Sequence, residues 1–349
     1  MKDKEIQALE TRPFRKRIYI TLGPASSKGE RLQQLLHSGI HGVRINMSHA
    51  NHDELPSLLQ TIRYLAPGIE IAADLRGRKI RIGPLANGKI ELKVSNKFTM
   101  VPSEKEIMGS ESMASVNYPN LTEKLEKGTI ILLDDGALTL RICEIEAEAI
   151  TCNVERGGTL PERSGVNLPG QKLGIPALTD KDYKDLDFLR QYCPDQIYLS
   201  FTETIADLEL LRGALKERHM KSKIISKVET LVAVHHFREL LDNSDAVCIA
   251  RGDLGVEIPY YKMPFTQRAL VEASKKANKV VLLAGELLYS LIKRHTPFRA
   301  ELTDIITAVE QGVSGFVLSD ETAIGIDPIN AVEVLQSLIV EAETELKNS

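Results

Sequence analysis

The sequence has 349 residues, no tryptophan and only 5% aromatic residues. That leaves little surface on which bases could stack. Lysines and arginines are scattered rather than clustered, so nucleic acid is not an expected partner. The formal net charge is small, −4, and gives no reason to expect a membrane surface. No apolar run approaches the roughly 20 residues of a spanning helix, so no membrane partner is expected. Cysteine is scarce: Cys143, Cys152, Cys193 and Cys248 are far apart and show no CxxC spacing. Neither a disulfide framework nor a zinc site is implied, and reduced thiols are the default. The opening MKDKEIQALETRPFRKR is charged and lacks the apolar core of a signal peptide, so a cytoplasmic location is expected. Low-complexity tracts and short repeats are also missing.

What is present is a large apolar fraction, 43%, enough to bury a sizeable core. Three apolar runs, Arg17–Thr21, Gly42–Asn46 and Glu70–Asp74, read as strands. Helical stretches separate them, a pattern that signals parallel pairing. From about residue 84 to 167 the rhythm changes to short alternating runs, such as Lys89–Val94, Thr129–Leu133, Leu138–Ile142 and Ile150–Val154. Turn sequences separate them, including Asp134-Asp135-Gly136 and Arg156-Gly157-Gly158. This predicts a small all-β domain inserted into an α/β one. The first rhythm then resumes, with strands at Gln196–Ser200, Lys223–Ile225, Ala246–Ile249, Val280–Ala284 and Gly315–Leu318. Helices are expected between them, one running from about Val232 to Leu241.

Three strands before the insertion and five after make eight, the count of a (β/α)8 TIM barrel. A doubly wound open sheet is the competing architecture. The domain expectation is a catalytic barrel over 13–83 and 168–349, with a β-barrel lid over 84–167. In such barrels the active site lies where the strands end, at the C-terminal face. There the sequence puts Arg44, Asn46, Asp74, Lys227, Glu229, Asp253, Glu286, Ser319 and Glu321. The central pair of stretches is Ile225-Ser226-Lys227-Val228-Glu229-Thr230 and Ala250-Arg251-Gly252-Asp253-Leu254-Gly255. A lysine and two carboxylates at strand ends suit a hard divalent ion beside a cation, aimed at an anionic substrate. Ion pairs that merely seal strand ends are the alternative.

These stretches resemble the pyruvate kinase family along nearly the whole chain. The resemblance is carried by Thr21-Leu22-Gly23-Pro24-Ala25-Ser26, Arg44-Ile45-Asn46-Met47-Ser48-His49, Gly165-Val166-Asn167-Leu168-Pro169-Gly170 and the two central stretches. Thr296–Glu301 and Leu318–Thr322 add to it. It implies transfer of the phosphoryl group of phosphoenolpyruvate to ADP, giving pyruvate and ATP. It implies Lys227 and Arg44 as catalytic residues, with Glu229 and Asp253 holding Mg2+ or Mn2+. Arg81, Asn46, Ser48, Gly252, Asp74 and Lys79 would bind substrate or phosphate, and His49 and Arg163 would lie on the nucleotide side. Leu75 and Lys79 resemble the potassium-independent members, so K+ is not expected to be required: a lysine ammonium can take the place of a monovalent cation.

The sequence also departs from the family pattern. Gly285-Glu286 stands where the family usually has Thr-Gln, so the proton donor is altered and Glu286 becomes a candidate acid or metal ligand. Ser164 stands where a nucleotide-side lysine is usual, and Arg78 where a proline is usual. The usual C-terminal domain has no counterpart in the sequence, so ordinary allosteric control is not expected, and a homo-oligomer is left open. Two other functions fit the residues: a metal-dependent pyruvate-enolate enzyme of aldolase or lyase type, for which Gly285 would open room, and a non-catalytic ligand-binding homologue.

Overall fold

The computed structural model describes residues 16–348 except Lys172. The charged opening read above as lacking a signal peptide lies largely outside the described residues, as does the start of the expected barrel segment at 13–15. Eight strands close into a parallel barrel. They are β1 (Arg17–Leu22), β2 (Gly42–Asn46) and β3 (Glu70–Asp74), then β12 (Gln196–Leu199), β13 (Lys223–Val228), β14 (Ala246–Ala250), β15 (Val280–Ala284) and β16 (Gly315–Leu318). Around the barrel the order is β1-β16-β15-β14-β13-β12-β3-β2. The open-sheet alternative is thereby excluded. Strands covered on both faces need near-continuous apolar runs rather than alternation, as Ala246–Ala250 shows with every residue buried.

Between β3 and β12 lie β4 (Lys89–Leu92), β5 (Lys97–Pro102), β6 (Met113–Val116), β7 (Ile130–Leu133), β8 (Leu138–Ile145), β9 (Ile150–Arg156), β10 (Gly158–Pro161) and β11 (Val166–Asn167). Six of them form a sheet in the order β11-β7-β8-β9-β5-β6, and β10 pairs with β4. Apolar residues from Ile80 to Leu168 make a core of their own, separate from that between barrel strands and helices. Four of these strands, β5, β6, β10 and β11, are not among the runs read from the sequence. Two of them, β10 and β11, are short and gain their order from pairing with β4 and β7.

The helix expected over Val232–Leu241 is broken at His236 into Leu231–His235 and Phe237–Asn243. A helix absent from the sequence reading, Arg251–Glu257, starts directly after β14. Two glycines there weigh against a helix by propensity, and the fully buried Leu254 anchors it against the core. No helix among the described residues is long and apolar enough to cross a membrane, and all four cysteines are free.

Candidate active site

The barrel interior is stacked in layers, and the layers explain where the charge appears. A small apolar set fills the middle: Tyr19, Ala72, Tyr198, Ile225, Ala246, Cys248, Leu282, Ala284 and Val317. Side chains on a strand alternate faces, so the inward residue two places further on stands one layer higher. From Tyr19, Ala72, Tyr198 and Ile225 that step reaches Thr21, Asp74, Ser200 and Lys227. Arg44 joins this upper layer through its pairing with Thr21. Period two therefore gathers polar side chains from five neighbouring strand ends at one rim.

These side chains are buried and bonded to each other. Arg44, 8% exposed, donates from Nε to Thr21 Oγ1 at 2.8 Å, from Nη1 to Asp74 Oδ2 at 3.0 Å and from Nη2 to Ser319 Oγ at 3.3 Å. Lys227 is 8% exposed. Its Nζ lies 2.8 Å from Glu229 Oε1 and 3.3 Å from Asp74 Oδ2, and donates to Ser200 Oγ at 2.9 Å. Ser200 in turn donates to Asp74 Oδ1 at 3.1 Å. Glu229, 1% exposed, accepts the Phe201 N–H on its other oxygen at 2.7 Å.

Electrostatics follows from that packing. Burial alone would lower the Lys227 pKa, but Asp74 and Glu229 outweigh it and hold the ammonium charged above the usual lysine range. Burial pushes the Glu229 carboxyl up against the pull of Lys227, and the negative Asp253 and Asp74 add to the rise. Cys248, beneath them in the barrel, is pushed by burial to about 12 and stays a thiol.

Asp253 sits in the first turn of the helix Arg251–Glu257, and its Oδ1 is 2.7 Å from Lys79 Nζ. Gly252, beside it, has open space where a Cβ would stand. Asn46 turns its side-chain oxygen to the Ser48 N–H at 3.0 Å, which shapes the loop after β2. Ser48 is half-buried there, and His49 is exposed. Arg81 is half-buried and donates to the Arg163 carbonyl at 2.9 Å. Burial, then the nearby Arg76, lowers its pKa. The Arg163 guanidinium points elsewhere: it forks onto Glu106 at 2.6 and 3.1 Å, an exposed pair within the inserted β segment. Glu286 is exposed with a left-handed backbone, φ 51°, and no described hydrogen bond or ion pair joins it to Lys227, Glu229 or Asp253. Glu321 serves the backbone, accepting the N–H groups of Leu287, Leu288 and Ser319 at 2.7–3.1 Å.

The model for "Pyruvate kinase, barrel domain" matches residues 14–332. The chain belongs to the pyruvate kinase family. A pyruvate kinase of Thermococcus litoralis is 33% identical over 339 residues, which cover 96% of this chain and 71% of that one. One of Staphylococcus aureus is 34% identical over 333 residues, 94% of this chain and 57% of its own length. A solved structure of a pyruvate kinase from Cryptosporidium parvum matches with a TM-score of 0.89 at 35% identity, over 97% of this chain and 70% of that one. This chain therefore spans between 57% and 71% of the length of these relatives.

Two residues of this pyruvate kinase-type rim went unassigned in the sequence, Thr21 and Ser200. The signal was available for both: each follows an inward aromatic residue, Tyr19 and Tyr198, by two places. Gly285 departs from the role expected of it. It does not open space for a second substrate. A Cβ there would meet the Gly252 nitrogen at 2.8 Å, and its φ is +88°. Arg251 also clamps this turn, donating to the Gly285 and Glu286 carbonyls at 2.9–3.0 Å while pairing with Asp304 at 2.6 Å. Glycine stands at 285 because backbone fills the place of a side chain.

The donor set suits a hard divalent ion. Glu229 and Asp253 offer only carboxylate oxygens, and the nearby thiol is protonated. No group of three or more His, Cys, Asp or Glu among the described residues could hold a metal. Magnesium characteristically takes one or two carboxylates and leaves its other positions to water and substrate oxygens. Glu229 and Asp253 are oxygen donors of that kind, although Lys227 and the Phe201 N–H occupy the two Glu229 oxygens and Lys79 sits on Asp253 in this structure.

Proposed function

We propose that this chain carries out magnesium- or manganese-dependent phosphoryl transfer between phosphoenolpyruvate and ADP, giving pyruvate and ATP. The observation that carries this reading is the buried Lys227 ammonium, fixed by Asp74, Glu229 and Ser200. A transferring phosphoryl group and an enolate both present negative oxygens, so catalysis is largely positioning plus fixed positive charge. Lys227 is a charge that does not titrate in the working range and needs no reorganisation. Arg44 adds a second cation, and its three hydrogen-bond partners stop it swinging. Arg81 supplies a third cation at the mouth, facing the inserted β segment.

Held at Glu229 and Asp253, the divalent ion would neutralise charge on substrate oxygens. The β segment would act as a lid that excludes water over the rim. Lys79 contributes an ammonium beside Asp253, which supports activity without potassium. Gly285 and Glu286 leave the family's usual threonine donor unmatched, so the enolate would take its proton from water or from exposed Glu286. The reading is tested by a phosphorus NMR time course with phosphoenolpyruvate, ADP and magnesium. Appearance of ATP phosphorus signals is expected, and an unchanged phosphoenolpyruvate signal at high enzyme concentration overturns it.

A further inference from the structure

Each carboxylate assigned to the metal already carries an ammonium: Lys227 on Glu229 at 2.8 Å and Lys79 on Asp253 at 2.7 Å. The two lysines differ in what else holds them. Lys227 also contacts Asp74 and Ser200, so it keeps partners if Glu229 turns toward an ion. The one ion pair of Lys79 among the described residues is Asp253. Its ammonium otherwise lies 5.8 Å from the Phe201 ring centre, and its stem lies beside Gly165, where the β segment returns to the barrel.

Charge makes the consequence specific. Arg44, Lys79 and Lys227 match Asp74, Glu229 and Asp253 charge for charge, and Arg81 near Asp253 adds a further cation. A divalent ion alone would add two uncompensated positive charges in a largely buried place, which is unfavourable. A substrate carrying two or more negative charges removes that excess and gives the displaced lysine a new partner.

Building on the phosphotransferase reading, we propose that Lys79 is a latch on Asp253 that makes metal binding depend on an anionic substrate. Metal alone binds weakly because it must displace Lys79 from Asp253. Metal with a di- or trianion binds tightly because the anion takes over the released ammonium. Thermodynamic linkage makes this reciprocal: the metal tightens the anion by the same factor.

The test is Mn2+ titration followed by electron paramagnetic resonance of the free ion, which needs no turnover. Wild-type protein is titrated alone and with oxalate, a dianion shaped like the pyruvate enolate. The same is done for Lys79→Met, which keeps the stem, for Lys79→Gln, and for Lys276→Met at an exposed pair with Glu272. Thermal melts check that each variant folds. The latch requires that Lys79→Met and Lys79→Gln bind Mn2+ alone about tenfold or more tighter than wild type, with a smaller gain from oxalate, in the range typical of coupled sites. Lys276→Met should match wild type. Folded Lys79 variants with unchanged or weaker Mn2+ affinity overturn the latch while leaving the phosphotransferase reading standing. Wild-type protein that takes up no Mn2+, with or without oxalate, overturns both.

Discussion

Replacing Lys227 with methionine keeps most of its volume and removes the charge that Asp74 and Glu229 share. The two carboxylates are affected differently. Asp74 retains Arg44 at 3.0 Å and Ser200 at 3.1 Å. Glu229 retains only the Phe201 N–H among its described hydrogen bonds and ion pairs. Removing one partner of a buried pair typically costs about 3–5 kcal/mol. At about 2 °C per kcal/mol for a chain of this size, that is a fall in Tm of about 6–10 °C. The loss should depend on pH, with a definite sign. Burial already raises the Glu229 carboxyl, and Lys227 is its largest opposing influence. Without the lysine the folded-state value rises further above the unfolded one. A group raised in this way contributes stability below its unfolded value and loses it as pH rises through its folded value. Lys227→Met should therefore lie much closer to wild type at about pH 5 than at about pH 8, because Glu229 then folds with its proton on. Scanning calorimetry at the two pH values, with phosphoryl-transfer activity measured in parallel, reads the effect. An equal Tm loss at both would refute the claim that an orphaned Glu229 charge is the cause.

Glu257 gives a second pH signal: burial pushes its carboxyl to about 7. Its folded value lies above its unfolded one, so wild-type Tm should fall as pH rises through 7, and Glu257→Gln should flatten that slope in the same calorimetry. Gly285→Ala should lose about 1–3 kcal/mol, from a left-handed φ and a Cβ 2.8 Å from the Gly252 nitrogen; urea melts check this, and an unchanged midpoint would show that the turn gives way easily. Ser200→Ala should lower kcat with little effect on KM, because it frees Lys227 and Asp74 without removing either charge; a KM-only effect would rule out this positioning role. Activity in sodium or tetramethylammonium salts should equal that in potassium salts, and a strong potassium requirement would contradict the role given to Lys79.

The sequence by itself determined the alternation of strands and helices, the interruption by short alternating runs, and the charge standing at strand ends. Those are local properties: apolar runs, turn residues and period-two stepping are set within a few positions of each other. Lys227, Glu229, Arg44 and Asp74 were legible for that reason. Tertiary structure alone decided which charge meets which. Lys79 and Asp253 are 174 positions apart, and only closure of the barrel puts one on the other. Arg163 looked available for a nucleotide, yet Glu106 takes its guanidinium. Glu321 looked like another rim acid, yet it accepts three backbone N–H groups that strand ends leave over. Gly285 looked like vacated space, yet the backbone of a helix not foreseen in the sequence fills it. In each case the residue type was visible in advance, but a neighbour came from a distant segment, and that neighbour fixes whether the residue serves the scaffold or is left facing a substrate.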